Sequence, residues 1–177
     1  MPESRSESTV TGDEAGSGST PGRLLYDLTK LDLTQRLADK AEIAKWNPHR
    51  GLMAFLDAVV WRAEDWSYAV GLKQVKGDEF WVPGHFPDKP MYPGVFQVET
   101  AAQLACWVFT HRKGRPLLAA FLRIENCAFR SQVTVGDDLY LILRDIKYQR
   151  RRFVSEVQGV VGDRIAFDAT ISGMSME

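Results

Sequence analysis

Two side chains fourteen positions apart, His85 and Glu99, are of the types that move protons. Histidine changes charge near neutral pH and suits general-base work. Glu99 and Gln103 stand four apart in an otherwise apolar segment, a spacing that puts both on one face of a helix. A carboxylate there is costly to bury. Burial raises its pKa and makes it a proton donor at neutral pH, with Gln103 placed to hydrogen-bond and orient it. Gly94 follows Pro93 where that helix should begin, and unpaired backbone N–H groups at the positive end of a helix dipole can hold a carbonyl oxygen. A base, an acid and a donor for a developing oxyanion are the parts needed to remove a proton next to a carbonyl. Each residue also has a plainer explanation: a structural Glu paired with a cation, a surface loop His, a simple tight turn. His49 and His111 fit that plainer description, one preceding a strand beside Arg50, the other belonging to a basic cluster that ends a helix.

These residues need elements to hold them. Pro83, Pro87, Pro90 and Pro93 fall within eleven residues around His85, and with φ fixed four times this loop should be stiff and extended. Val95 to Phe109 is apolar on nearly every face, as expected of a helix wrapped by protein. It should end at His111, Arg112 and Lys113, with Gly114 taking the left-handed cap and Pro116 just beyond. Before the loop, Leu52 to Val60 and Trp66 to Val75 read as strands, separated by the polar Arg62 to Asp65. After the helix, Leu117 to Arg130, Leu139 to Gln149, Phe153 to Val161 and Arg164 to Ser172 read as four more, the last two joined by the two-residue turn Gly162-Asp163. One buried helix among antiparallel strands is an α+β arrangement, a curved antiparallel sheet wrapped around a central helix.

Residues 1–22 mix Ser, Thr, Gly, Pro and Glu and should form a disordered tail. In residues 23–47, Leu25, Leu31, Leu33, Leu37, Ile43 and Trp46 lie loosely at helical spacing and suggest one or two short helices, leaving residues 48–177 as the single main domain. At 177 residues with 45% hydrophobic content, the chain can form one domain with a real core. A net charge of -1 argues against a nucleic-acid binder held by bulk electrostatics. No run approaches the ~18 apolar residues that span a membrane, and no signal peptide is legible. Cys106 and Cys127 sit in apolar sequence without metal-ligand spacing, so both read as reduced core thiols of a cytoplasmic protein, with no metal and no cofactor expected.

The run His85-Phe86-Pro87-Asp88-Lys89-Pro90-Met91-Tyr92-Pro93-Gly94-Val95, with Glu99-Thr100-Ala101-Ala102-Gln103 after it, resembles the signature of FabZ-type 3-hydroxyacyl-[acyl-carrier-protein] dehydratases of the FabA/FabZ hotdog family. Pro48-His49-Arg50 leading into Phe55-Leu56-Asp57, and Phe129 with Gly136-Asp137-Asp138-Leu139, extend the resemblance over roughly residues 46–173. It implies a hydro-lyase of fatty acid biosynthesis that converts (3R)-3-hydroxyacyl-[acyl-carrier-protein] to the trans-2-enoyl thioester. His85 would take the C2 proton, Glu99 would protonate the departing hydroxyl, and the Gly94 amide would polarise the carbonyl. Phe86, Tyr92 and Gln103 would join Gly94 in binding substrate. In the family the His and Glu meet across a homodimer interface, and a trimer of dimers is the larger assembly considered. Glu rather than Asp at the helical acid position separates this pattern from the FabA branch, so dehydration without isomerisation is expected.

The chain departs from the family pattern at Met91-Tyr92, where Val-Met is common, and at Val135, where proline is usual. Tyr92 bears on the acyl tunnel. Arg150, Arg151 and Arg152 fall in the turn before Phe153, with Lys147 and Arg144 upstream. They read either as a solvated turn or as a docking surface for the acidic carrier protein and its phosphopantetheine-linked acyl chain, since Arg binds phosphate through bidentate geometry. The alternatives to a dehydratase are a hotdog acyl thioesterase, which needs an attacking water instead of a paired acid and base, and a noncatalytic carrier-binding module.

Overall fold

The computed structural model describes residues 23–176. The expected tail at 1–22 lies outside the described residues. Seven strands and two helices follow in the order β1 (Ala38–Asp39), α1 (Lys40–Trp46), β2 (Ala58–Arg62), β3 (Tyr68–Gln74), α2 (Gly94–Lys113), β4 (Ala119–Phe129), β5 (Asp138–Tyr148), β6 (Arg152–Val161) and β7 (Arg164–Ser175). All pair antiparallel in one sheet ordered β1-β2-β3-β5-β6-β7-β4.

The period-two alternation of β5 explains how the sheet serves two faces. Leu139, Leu141 and Leu143 point to the concave side, where Leu104, Ala105, Val108 and Phe109 of α2 complete the main core. Tyr140 and Ile142 point the other way, into a smaller cluster with Val60, Val70 and Leu72. Helix α2 is buried on several sides, as its uniformly apolar sequence requires: Thr100, Ala101, Leu104 and Thr110 are all 0% exposed. Close approach of helix and sheet falls at Gly71, where a Cβ would sit 2.8 Å from Leu56 and 3.3 Å from Leu104. The helix ends at Gly114, which adopts φ 69° as a left-handed cap and donates its N–H to the carbonyl of His111. Gly162 takes φ 58° in the tight β6–β7 turn, between the paired Val161 and Arg164.

The N-terminal part differs from the expected pair of helices. Only α1 is α-helical, capped by Asp39, whose carboxylate accepts the N–H of Glu42 at 2.8 Å. Upstream, Leu24, Leu25, Tyr26, Leu28, Leu31 and Leu33 form a strap across the outer sheet face. Asp27 and Asp32 each accept the backbone N–H and the hydroxyl of a threonine two residues on, and these local turns compete with a continuous helix. Gln158 of β6 pins the strap by accepting the N–H of Leu25 at 3.0 Å and donating to the carbonyl of Arg23 at 3.2 Å.

Strand β2 starts later than the apolar run beginning at Leu52. Gly51–Met53 forms a 3-10 turn, and the N–H groups of Phe55 and Leu56 are taken by Gln103 instead of a neighbouring strand. Trp66 likewise belongs to a turn, at φ 65°. Strand β4 is an edge strand whose Phe121, Leu122, Ile124 and Phe129 are exposed. Cys127 lies on it and is exposed, unlike the buried Cys106, so only one of the two free thiols belongs to the core. Among the described residues, no helix is long and apolar enough to cross a membrane, and no group of three or more His, Cys, Asp or Glu could hold a metal.

Candidate active site

The loop carrying His85 is tied down by a buried cation. Lys73 of β3, 5% exposed at its side chain, lies 3.2 Å from Asp57 and 2.9 Å from Glu79. Glu79 in turn accepts the N–H of Lys76 at 2.8 Å and the indole N–H of Trp81 at 3.1 Å. The carbonyl of Trp81 then accepts the N–H groups of Gly84 and His85, while Phe86 and Lys89 exchange backbone hydrogen bonds and Met91 donates to the carbonyl of His85. Rigidity therefore comes from this closed backbone network as well as from the prolines. The His85–Phe86 peptide is cis.

This folding of the loop decides how His85 can act. Its Nδ1 lies 2.8 Å from the carbonyl oxygen of Met91, which can only accept. Nδ1 must therefore carry the ring proton, and Nε2 keeps the basic lone pair. The half-exposed Phe86 ring stacks on the imidazole at 4.2 Å between centroids.

His85, Tyr92, Gly94, Phe129 and Val133 line one cleft of about 470 Å³. Gly94 is the first residue of α2, and the N–H groups of Phe96 and Gln97 return to the carbonyl of Pro93. A Cβ on Gly94 would lie 2.6 Å from the Phe129 ring, so glycine lets this aromatic wall close on the helix start. Tyr92 is buried: its hydroxyl donates to Thr100 Oγ1 at 2.9 Å, and Thr100 passes its own proton to the carbonyl of Phe96. Burial pushes the phenol's pKa upward, so Tyr92 shapes the cleft as a neutral group.

Glu99 lies elsewhere. It shares a small cavity with His49, Ala102, Cys106, Phe121 and Phe153, and no residue lines both this cavity and the His85 cleft. The carboxylate is not fully buried in the single chain, its side chain being 25% exposed. Gln103, 1% exposed, donates from Nε2 to Glu99 Oε1 at 2.9 Å and to the carbonyl of Met53 at 2.8 Å, while its Oε1 accepts from Phe55 and Leu56. The same amide thus orients the acid and pins the chain entering β2. Cys106, beside Glu99, has its thiol pushed up to about 12, by burial first and by the glutamate's charge second, and is no nucleophile.

His49 is the residue that sequence reasoning set aside as an ordinary surface histidine. Its Nε2 lies 3.4 Å from Glu99 Oε1 and its side chain is 26% exposed. Burial holds its pKa below the ordinary histidine value, against the raising charge of Glu99 and with a smaller lowering from Arg50. Fifty residues separate His49 from Glu99, and the segment is brought back to α2 by the Gln103 side-chain hydrogen bonds to 53–56 and by the Asn47 side chain, which donates to the Gln103 carbonyl. The Pro48-His49-Arg50 triplet was a visible signal, though it carried no indication of which residue it would meet.

Arg150, Arg151 and Arg152 are exposed in the β5–β6 turn, closed by the Gln149 N–H to the Arg152 carbonyl at 2.8 Å. Arg152 lines a groove of about 460 Å³ with Arg123, Lys147 and Phe153. Phe153 is also a wall of the Glu99 cavity, so the basic groove and that cavity share one lining residue. Arg144 turns instead into an ion pair with Glu156.

Comparison with known proteins matches residues 47–170 to the FabA-like domain. The 3-hydroxyacyl-[acyl-carrier-protein] dehydratase FabZ of Halalkalibacterium halodurans is 37% identical over 123 residues, covering 67% of this chain and 87% of that protein. The bifunctional enzyme LpxC/FabZ of Porphyromonas gingivalis is 36% identical over 137 residues, which are 75% of this chain and 29% of that longer protein. Among solved structures, the dehydratase heterocomplex ApeI:P from Xenorhabdus doucetiae matches with a TM-score of 0.66 at 18% identity, covering 76% of this chain and 91% of that one. At that identity the structural likeness speaks for the fold.

Proposed function

The chain belongs to the FabA-like domain family and has a hotdog fold, and on that premise we propose that it is a hydro-lyase of fatty acid biosynthesis. Its substrate is a (3R)-3-hydroxyacyl group on acyl carrier protein and its product the trans-2-enoyl thioester. His85 Nε2 takes the C2 proton and the electrons of that C–H bond form the C2–C3 double bond. The C3–O bond breaks as Glu99 gives its proton to the hydroxyl, which leaves as water. At the helix start, the Gly94 N–H stabilises the charge that develops on the thioester oxygen, a contribution of about 10²- to 10³-fold for such a donor.

One observation carries the reading: Nδ1 of His85 is committed to the Met91 carbonyl, so the free base Nε2 belongs to a side chain lining the same cleft as the helix start at Gly94. Because Glu99 opens on a different cavity, the working pair joins His85 of one copy to Glu99 of a second in a homodimer. The exposed apolar edge strand β4 supports this, since it presents Phe121, Leu122 and Ile124 and contributes Phe121 to the wall of the Glu99 cavity. Arg150, Arg151 and Arg152, with Lys147 and Arg123, receive the acidic carrier and its phosphopantetheine phosphate. A cytoplasmic location accords with two unpaired cysteines.

Incubation with a carrier-linked 3-hydroxyacyl series tests the reading. Formation of enoyl product, lost in His85→Ala, is the expected result. Release of free thiol from the carrier would instead identify a thioesterase.

A further inference from the structure

We propose that His49 is a positioning residue that acts beside Gln103 on Oε1 of Glu99 and so helps to leave Oε2 as the oxygen that serves as the acid. This rests on the dehydratase reading of Glu99. Both protein contacts to the carboxyl group fall on the same atom: Gln103 Nε2 reaches Oε1 at 2.9 Å and His49 Nε2 faces Oε1 at 3.4 Å. With Oε1 engaged as an acceptor, the transferable proton resides on Oε2, which is left to meet the departing hydroxyl. A neutral His49 donates to Oε1 only when Nε2 bears the ring proton, and that makes Nδ1 an acceptor.

Among the described residues, His49 Nδ1 and Asn47 Oδ1 are both buried without a protein partner. Asn47 is only 3% exposed, and its Nδ2 donates to the carbonyl of Gln103 at 2.8 Å, which fixes the amide orientation and makes Oδ1 the remaining acceptor. Both residues line one cleft of about 210 Å³ together with Gln103. The other ionisable groups that line a cavity with His49 are Glu99 and Cys106 in one, and Lys40 and Arg50 in the other.

The test compares donors at one position on the full-length protein. His49→Leu keeps bulk without a donor, whereas Gln in its place puts an amide N–H near the Nε2 position. We expect His49→Leu to lower kcat about 10- to 100-fold with KM within about twofold, and to move the alkaline limb of the kcat profile to higher pH, because a donor that favours the carboxylate has gone. His49→Gln should restore both. In His49→Ala, added imidazole should restore kcat while 1-methylimidazole, which has no N–H when neutral, should not. Equal losses in the Leu and Gln variants, or equal rescue by both imidazoles, would reduce His49 to a space-filling role and overturn the proposal. So would an unaltered kcat and alkaline limb in His49→Leu. Absence of enoyl product from the unaltered protein would instead strike the dehydratase reading itself.

Discussion

An imidazole serves as a base only through a nitrogen not already committed, and the three histidines of this chain divide on that point. His85 gives Nδ1 to the carbonyl of Met91, keeping Nε2 free, whereas His111 gives Nδ1 to the carbonyl of Trp107 at 2.9 Å and stacks on Trp46 at 3.7 Å between centroids. Burial depresses the pKa of His111, opposed by the Trp107 carbonyl and by Glu42, and burial likewise depresses that of His49. A histidine held neutral on folding binds fewer protons in the native than in the unfolded state. Its stabilising contribution is present above the unfolded value near 6.5 and is lost as pH falls through the lower folded value. The melting temperature should therefore fall as pH drops below about 6.5, and His111→Gln should flatten part of that fall. A melting temperature that rises over the same acid range would contradict the assignment.

At the scale of elements, what sequence shows and what it hides separate by mechanism. The β6–β7 turn at Gly162-Asp163, the cap at Gly114 and the buried helix were legible because local chemistry specifies each of them. The strap at residues 23–33 was not, because its leucines are satisfied by the outer face of a sheet assembled from distant strands, and nothing local distinguishes that from one face of a helix. The late start of β2 was hidden for a related reason: Gln103, about fifty residues onward, takes the N–H groups that an early strand would have paired. His85, Gly94, Glu99 and Gln103 were visible as types at a spacing. That His49 would face Glu99 depended on this long return. If the strap does what its contacts indicate, deleting residues 1–35 should uncover Val60, Val70, Leu72 and Ile142 and cost on the order of 5 kcal/mol in urea unfolding. A truncated chain as stable and as monodisperse as the full one would show that the outer face needs no cover.

Across the whole molecule, His85 and Glu99 line two cavities that share no residue. The His85 cleft and the Glu99 cavity flank the first part of α2, and the chain also leaves β4, the longer of the sheet's two edges, exposed with its aromatic and aliphatic side chains. Two copies joined about a twofold axis would complete two sites at once, since each supplies what the other lacks. Co-expression of a His85→Ala chain with a Glu99→Gln chain tests this most directly, with conversion of carrier-linked 3-hydroxyacyl substrate to enoyl product as the readout. Each variant alone should be inactive. Random pairing places one intact site in half of the dimers, so the mixture should recover about a quarter of wild-type activity. A co-expressed mixture of mixed dimers that stays as inactive as either parent would contradict a shared His85–Glu99 site.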